Sequence, residues 1–117
     1  MPKRQISLEY FKSIAGEDRT LLRNLVNVFL QRLPTEMHTA KTLYRQQNWS
    51  KLKQLLHKLK PNFGYVGMQY TECLANSLEE KLDENTPDTR EITRLFAVLE
   101  SDAKEITRQL KHEIDQY

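Results

Sequence analysis

Leu55-Leu56-His57-Lys58-Leu59-Lys60-Pro61-Asn62-Phe63-Gly64-Tyr65-Val66-Gly67 is the stretch from which both the fold and its working face can be read. At about 100° per residue, the α-helical turn, Leu52, Leu55, Leu56, Leu59, Phe63 and Val66 fall into one stripe roughly 100° wide. That is the width of a helix face turned toward a core. His57 lies about 150° from the middle of the stripe, and Lys53, Lys60, Pro61 and Gly64 all fall within roughly 60° of it. The spacing predicts an exposed imidazole flanked by lysines, above a surface that becomes small one and two turns later. Such a place suits a histidine that another protein must reach better than one that serves packing.

The same 3.6-residue period extends in both directions. Leu8, Phe11 and Ile14 predict a short helix over 7–15, with Ser7 as N-cap and Gly16 as its stop. Leu22, Leu25, Val26, Phe29, Leu33, Met37, Ala40 and Tyr44 predict a long helix over 18–47, with Glu17 and Asp18 at the positive end of its dipole. Pro34 removes the bond to the Leu30 carbonyl, which predicts a kink; the apolar phase survives it, so one bent helix is expected rather than two. The His57 helix spans 49–64 behind Asn48 as N-cap. A helix over 68–83 turns Cys73, Leu74, Leu78 and Leu82 inward, and one over 89–115 carries Ile92, Leu95, Phe96, Leu99, Ala103, Ile106, Leu110 and Ile114. Nothing reads as strand. The expected fold is all-α: an antiparallel up-and-down four-helix bundle over a single domain, 1–117, with a short extra N-terminal helix capping one end. Tyr44 and Trp49 are placed to close the turn between the second and third helices.

Composition bounds the function. The chain has 117 residues, 18 basic and 16 acidic, for a net charge of +2, too near neutral to argue for nucleic acid. No apolar run approaches the ~20 residues of a membrane span, and no apolar segment follows the basic start as in a signal peptide. Cys73 is the lone cysteine, so no intrachain disulfide can form. A reducing, cytoplasmic setting and a core position for Cys73 are expected. His38 and His112 have no ligands at helical spacing, so no metal site is expected. No Gly-rich phosphate loop is present, which argues against ATP chemistry.

His57-Lys58-Leu59-Lys60, with glycines at 64 and 67, resembles the histidine-containing phosphotransfer (Hpt) domain: a His, a Lys three residues on, a small residue next, and a Gly ten residues after the His. The order of helices resembles it over the whole chain. The resemblance implies a phosphorelay carrier, with His57 as phosphoacceptor between the aspartates of two receiver domains, those of response regulators or of a hybrid histidine kinase. It implies no cofactor on this chain; the Mg²⁺ needed for transfer would belong to the receiver. A monomer is expected, since four long helices can bury their stripes within one chain.

Each residue has a physical reason. A neutral imidazole has a lone pair that can attack phosphorus, and imidazolium does not. Lys51, Lys53, Lys58 and Lys60 lie in 51–60, which holds no acid, so this positive surrounding is expected to favour the uncharged ring. Lys60, at i+3, is the residue expected to offset the charge of the phosphoryl group. Lys53 and Lys58 complement an acidic receiver pocket, and Gly64 leaves room for a docking element. Pro61 stands where the family usually has Gly; it removes the donor to the His57 carbonyl, predicts a local bend, and sets a bulkier ring on the docking face. Gln69 is a weaker candidate for contact with partner or phosphoryl group, and Gly67 is expected to permit the tight interhelical connection. Two other readings compete. One is an interaction module that binds a receiver without carrying phosphate. The other is the phosphoacceptor bundle of a histidine kinase, where an acidic residue follows the His and Lys58 stands here. A ring buried in the core, or locked against an acidic neighbour, would overturn the carrier reading.

Overall fold

A computed structural model describes residues 5–116. Five helices appear and no strand among the described residues: α1 (Glu9–Ala15), α2 (Arg19–Arg45), α3 (Trp49–Tyr65), α4 (Gln69–Leu82) and α5 (Thr89–Ile114). Three start on the caps their sequences offer. The Asp18 side chain accepts from the Leu21 N–H, Asn48 from Lys51, and Asp88 from Arg90 and Glu91. The first helix starts two residues late: Leu8 is its N-cap without a side-chain bond, while Ser7 Oγ accepts from the Glu9 N–H at 3.2 Å. Helix α2 continues through Pro34, and α3 through Pro61.

The α3–α4 connection sets everything near His57. Met68 N–H donates to Phe63 O at 2.8 Å and Gly67 N–H to Gly64 O at 3.0 Å, the paired bonds of a Schellman stop. Gly67 takes φ 75°, where an L side chain is strained. The turn folds α4 back along α3, so residue numbers fall on one helix as they rise on the other: Lys53 meets Asp83, His57 meets Glu79, Lys60 meets Asn76. Helices α2 and α5 pair in the same sense, Tyr44 with Thr93, Lys41 with Glu100, Arg23 with Ile114. Helix α2 packs on α1, α3 and α5, and α4 packs on α3 and α5.

The core is the set of stripes read from the sequence, with two corrections. Leu52, Leu56, Leu59, Phe63 and Val66 are fully buried, and all eight apolar positions expected on α5 are buried. At roughly 1.5–3 kcal/mol for each large apolar side chain removed from water, these stripes dominate the stability of the bundle. Cys73 is exposed instead of buried. The inward stripe of α4 runs through Thr71, Leu74, Ala75, Leu78 and Leu82, which leaves residue 73 on the outer side; the buried Thr71 hydroxyl is satisfied by Asp102 Oδ2 at 2.9 Å. Ile14 is also exposed, and Ala15 takes the inward place at the end of α1. Phe11 meets Phe29 edge-on at 6.0 Å, which seats α1 on α2. The segment before α1 is tied by Ile6 N–H to Gln109 Oε1 and by Ser7 N–H to Val66 O. Tyr44 lies 6.1 Å from Trp49 at the α2–α3 turn and stacks on Phe96 at 4.6 Å.

Candidate functional site

His57 projects from the outer face of α3 with 71% of its side chain exposed, as the wheel predicts. The ring is not without an acidic neighbour, however. Glu79 Oε1 of α4 lies 2.8 Å from His57 Nδ1. The expectation of an acid-free surrounding fails because it was drawn from 51–60 alone, whereas the antiparallel register brings in a carboxylate 22 residues away.

The geometry decides what that carboxylate does. An ionised carboxylate only accepts hydrogen bonds, so Nδ1 must carry the proton it shares with Glu79. In the neutral ring the lone pair is then on Nε2, which has no hydrogen-bond partner among the described residues. The ring is held by one nitrogen and open at the other. Burial pushes the Glu79 carboxyl up, but contact with the Lys60 ammonium and the His57 imidazole outweighs it and holds the group below the usual glutamate range.

Lys60 Nζ stands 2.9 Å from Glu79 Oε2 and donates to Asn76 Oδ1 at 3.1 Å. The ammonium and Glu79 Oε2 form an ion pair across the seam. Asn76 in turn donates to Glu80 Oε1 at 3.2 Å. His57, Lys60, Asn76 and Glu79 thus form one cluster on the α3–α4 seam, with Glu79 at its centre.

The lysine face is thinner than the sequence suggested. Lys53 pairs with Asp83 and Lys60 with Glu79; Lys51 and Lys58 have no ion pair among the described residues. Gly64 is not bare either: a Cβ there would come within 3.0 Å of the Glu72 carboxylate, which folds over it from α4. Gln69 is exposed at the first position of α4, ten residues before Glu79 and so ~15 Å farther along the axis. That distance sets it well away from the His57 ring; the polar side chains that reach the ring and Lys60 are Glu79 and Asn76. Both were legible. Glu72, Asn76, Glu79 and Asp83 recur at i, i+4, i+7 and i+11, a polar stripe facing α3, and folding the chain about the 67–68 turn sets residues 77–79 opposite His57.

Beyond Pro61, which is half-buried, the outer surface becomes apolar. Tyr65, two turns on from His57, stacks on Tyr10 with ring centroids 4.5 Å apart, and Ile14 and Val28 are about half exposed beside them. Among the described residues no three His, Cys, Asp or Glu gather as metal ligands, and no helix is long and apolar enough to cross a membrane.

A protein-family model described as the Hpt domain matches residues 24–117, from the second turn of α2 to the end of the chain. No curated protein and no solved structure matches the chain at the significance required.

Proposed function

Because this chain belongs to the Hpt domain family, we propose that it carries phosphoryl groups in two-component signalling, with His57 as the acceptor between receiver aspartates and no ATP chemistry of its own. The observation that carries this reading is the Nδ1 contact with Glu79. A carboxylate at the ring was the condition that could have sunk it, but this one occupies the nitrogen that does not react. It fixes the tautomer that presents a lone pair at Nε2 to solvent.

The step balances with the residues present. Nε2 attacks phosphorus, the N–P bond forms, and the bond from phosphorus to the donor's carboxyl oxygen breaks, returning that aspartate to a carboxylate. Positive charge develops on the ring as its lone pair is used, and the Glu79 carboxylate, already on Nδ1–H, meets that charge without reorganising. Lys60, one turn from His57, offsets the incoming phosphoryl charge. The transfer then runs in reverse onto a second receiver.

The exposed ridge from His57 through Pro61 to the Tyr65–Tyr10 stack supports docking of a receiver beside the reacting nitrogen, with Lys58 on its flank and Glu72 over Gly64. Apolar surface gathered next to a reactive group marks an interaction site more than scattered exposed side chains do. Lys53, Lys58, Pro61 and Gly64 are the proposed partner contacts, and Gln69 a peripheral one.

Incubation with a phosphorylated receiver tests the reading. Label should pass to this chain, be lost in acid and stable in base as a phosphoramidate is, and vanish in His57→Gln. A receiver that binds at this face without passing label would favour the interaction-module reading instead.

A further inference from the structure

Helices α2 and α5 leave a groove of about 460 Å³ on the seam between them, floored by Leu33, Met37 and Ala103. Helix α3, which carries His57, packs on α2 and α4, and its pairing with α5 is at most marginal. The groove therefore lies at the corner of the bundle away from His57. Two features shape it. Ala103 is the smallest residue on the inner stripe of α5 and leaves a recess opposite Met37, whose flexible thioether can repack around an inserted side chain. Pro34, exposed on the lip, has no N–H to give the Leu30 carbonyl.

The rim is cationic. His38 and Lys41 stand on the α2 side, Lys104 and Lys111 on the α5 side, and Glu100 is the single acid lining the groove. Glu100, four residues before Lys104, is placed for the favourable i,i+4 pair. It is spent across the groove instead, on Lys41, at 2.9 Å. Lys104 and Lys111 have no ion pair among the described residues, whereas Arg94 and Arg108 on the same helix each pair with a glutamate three residues earlier. Two unneutralised ammonium groups thus stand two turns apart, ~10.5 Å, along one edge of an apolar trough.

We propose that this groove docks an amphipathic acidic helix of a partner protein, with carboxylates seven residues apart that meet Lys104 and Lys111 and an apolar stripe that fills the recess at Ala103. A single helix laid between two antiparallel ones packs ridges into their groove, and the charge pattern selects an acidic helix over a basic one. The site leaves His57 open, so a bound partner would stay anchored while a receiver visits the opposite side.

The probe is a synthetic helical peptide with a leucine stripe and glutamates seven residues apart, added to the full chain with amide shifts followed by NMR. Saturable shifts confined to 33–41 and 100–111 are expected, with affinity that falls as salt rises. The same peptide with lysine in place of glutamate should not bind. The double variant Lys104→Glu/Lys111→Glu should weaken binding about tenfold or more while transfer through His57 stays as in the unaltered chain. Ala103→Leu, which fills the recess and leaves the charges, should weaken it too, with circular dichroism confirming the helices. Absence of saturable shifts, shifts centred on 57–65, or indifference to charge reversal would overturn the proposal.

Discussion

His57 Nδ1 and Glu79 Oε1 stand 2.8 Å apart across the α3–α4 seam, and this single bond leaves the lone pair of the neutral ring on Nε2. The role of Glu79 is positional, so its loss should register in the ring before it registers in the fold. In Glu79→Gln the neutral amide accepts the Nδ1 proton more weakly than a carboxylate does, roughly halving a charge-assisted bond. Transfer from a phosphorylated receiver should slow by about tenfold, the equivalent of ~1.4 kcal/mol. Ring ¹⁵N shifts should move from the Nδ1–H tautomer toward a mixture. A shifted tautomer with an unchanged single-turnover rate would remove Glu79 from the mechanism.

The same carboxylate predicts acid sensitivity. Glu79 titrates below the usual glutamate range in the folded chain because Lys60 and His57 outweigh the effect of burial. A folded-state value below the unfolded one means that ionised Glu79 stabilises the fold above the ordinary value of ~4.3, and that this contribution disappears as pH falls through the lower, folded value. Melting temperatures of the wild type and Glu79→Gln should therefore differ most near neutrality and converge in acid. A gap that stays constant from neutral pH into acid would show that the stabilisation does not come from this ionisation.

Lys60 has a structural duty and a proposed chemical one, and a pair of variants separates them. Its side chain is 22% exposed and that of Glu79 11%. Lys60→Met leaves that nearly buried carboxylate without its cation and should destabilise the fold by ~1–3 kcal/mol in urea melts. The double variant Lys60→Met/Glu79→Gln removes the stranded charge along with its partner and should recover much of that loss. Transfer in the double variant should be slower than in Glu79→Gln alone, because the group proposed to offset phosphoryl charge is missing as well. A double-variant rate equal to that of Glu79→Gln would reduce Lys60 to a structural partner of Glu79.

What the sequence made legible follows from how local the physics was. The α5 stripe from Ile92 to Ile114 and the α3 stripe from Leu52 to Val66 obey one helical period, and each buries as the period dictates. Exposure of His57 is the complement of that stripe. The errors arose where the answer depended on a second helix. Cys73 was set inward by its apolar character, but the contact of α4 with α5 runs through Thr71, whose hydroxyl finds Asp102. Glu79 lies outside the acid-free stretch 51–60 and becomes a neighbour of His57 only through the turn at Gly67, which fixes which residues of α4 face the ring. Lys53 and Lys60 looked like unopposed charge for the same reason: Asp83 and Glu79 are neighbours only after the chain has turned back.

The two glycines of the motif should respond to alanine in opposite ways. Gly67 takes φ 75°, and a Cβ there would lie 2.7 Å from Ser7 Cβ in the segment whose N–H bonds Val66 O. Gly67→Ala combines left-handed strain with a clash against a tethered backbone, and should cost ~1–3 kcal/mol. Gly64 is helical, and its Cβ would meet only the carboxylate end of Glu72, which can rotate into solvent. Gly64→Ala should therefore stabilise the fold by ~0.5–1 kcal/mol, the ordinary gain of alanine over glycine inside a helix. The added methyl and displaced carboxylate lie one turn beyond Pro61, on the ridge where a receiver would dock, so the stabilised variant should transfer more slowly. Urea melts paired with transfer rates check both. A Gly64→Ala chain that is more stable and equally fast would show that this part of the ridge is not touched by the partner.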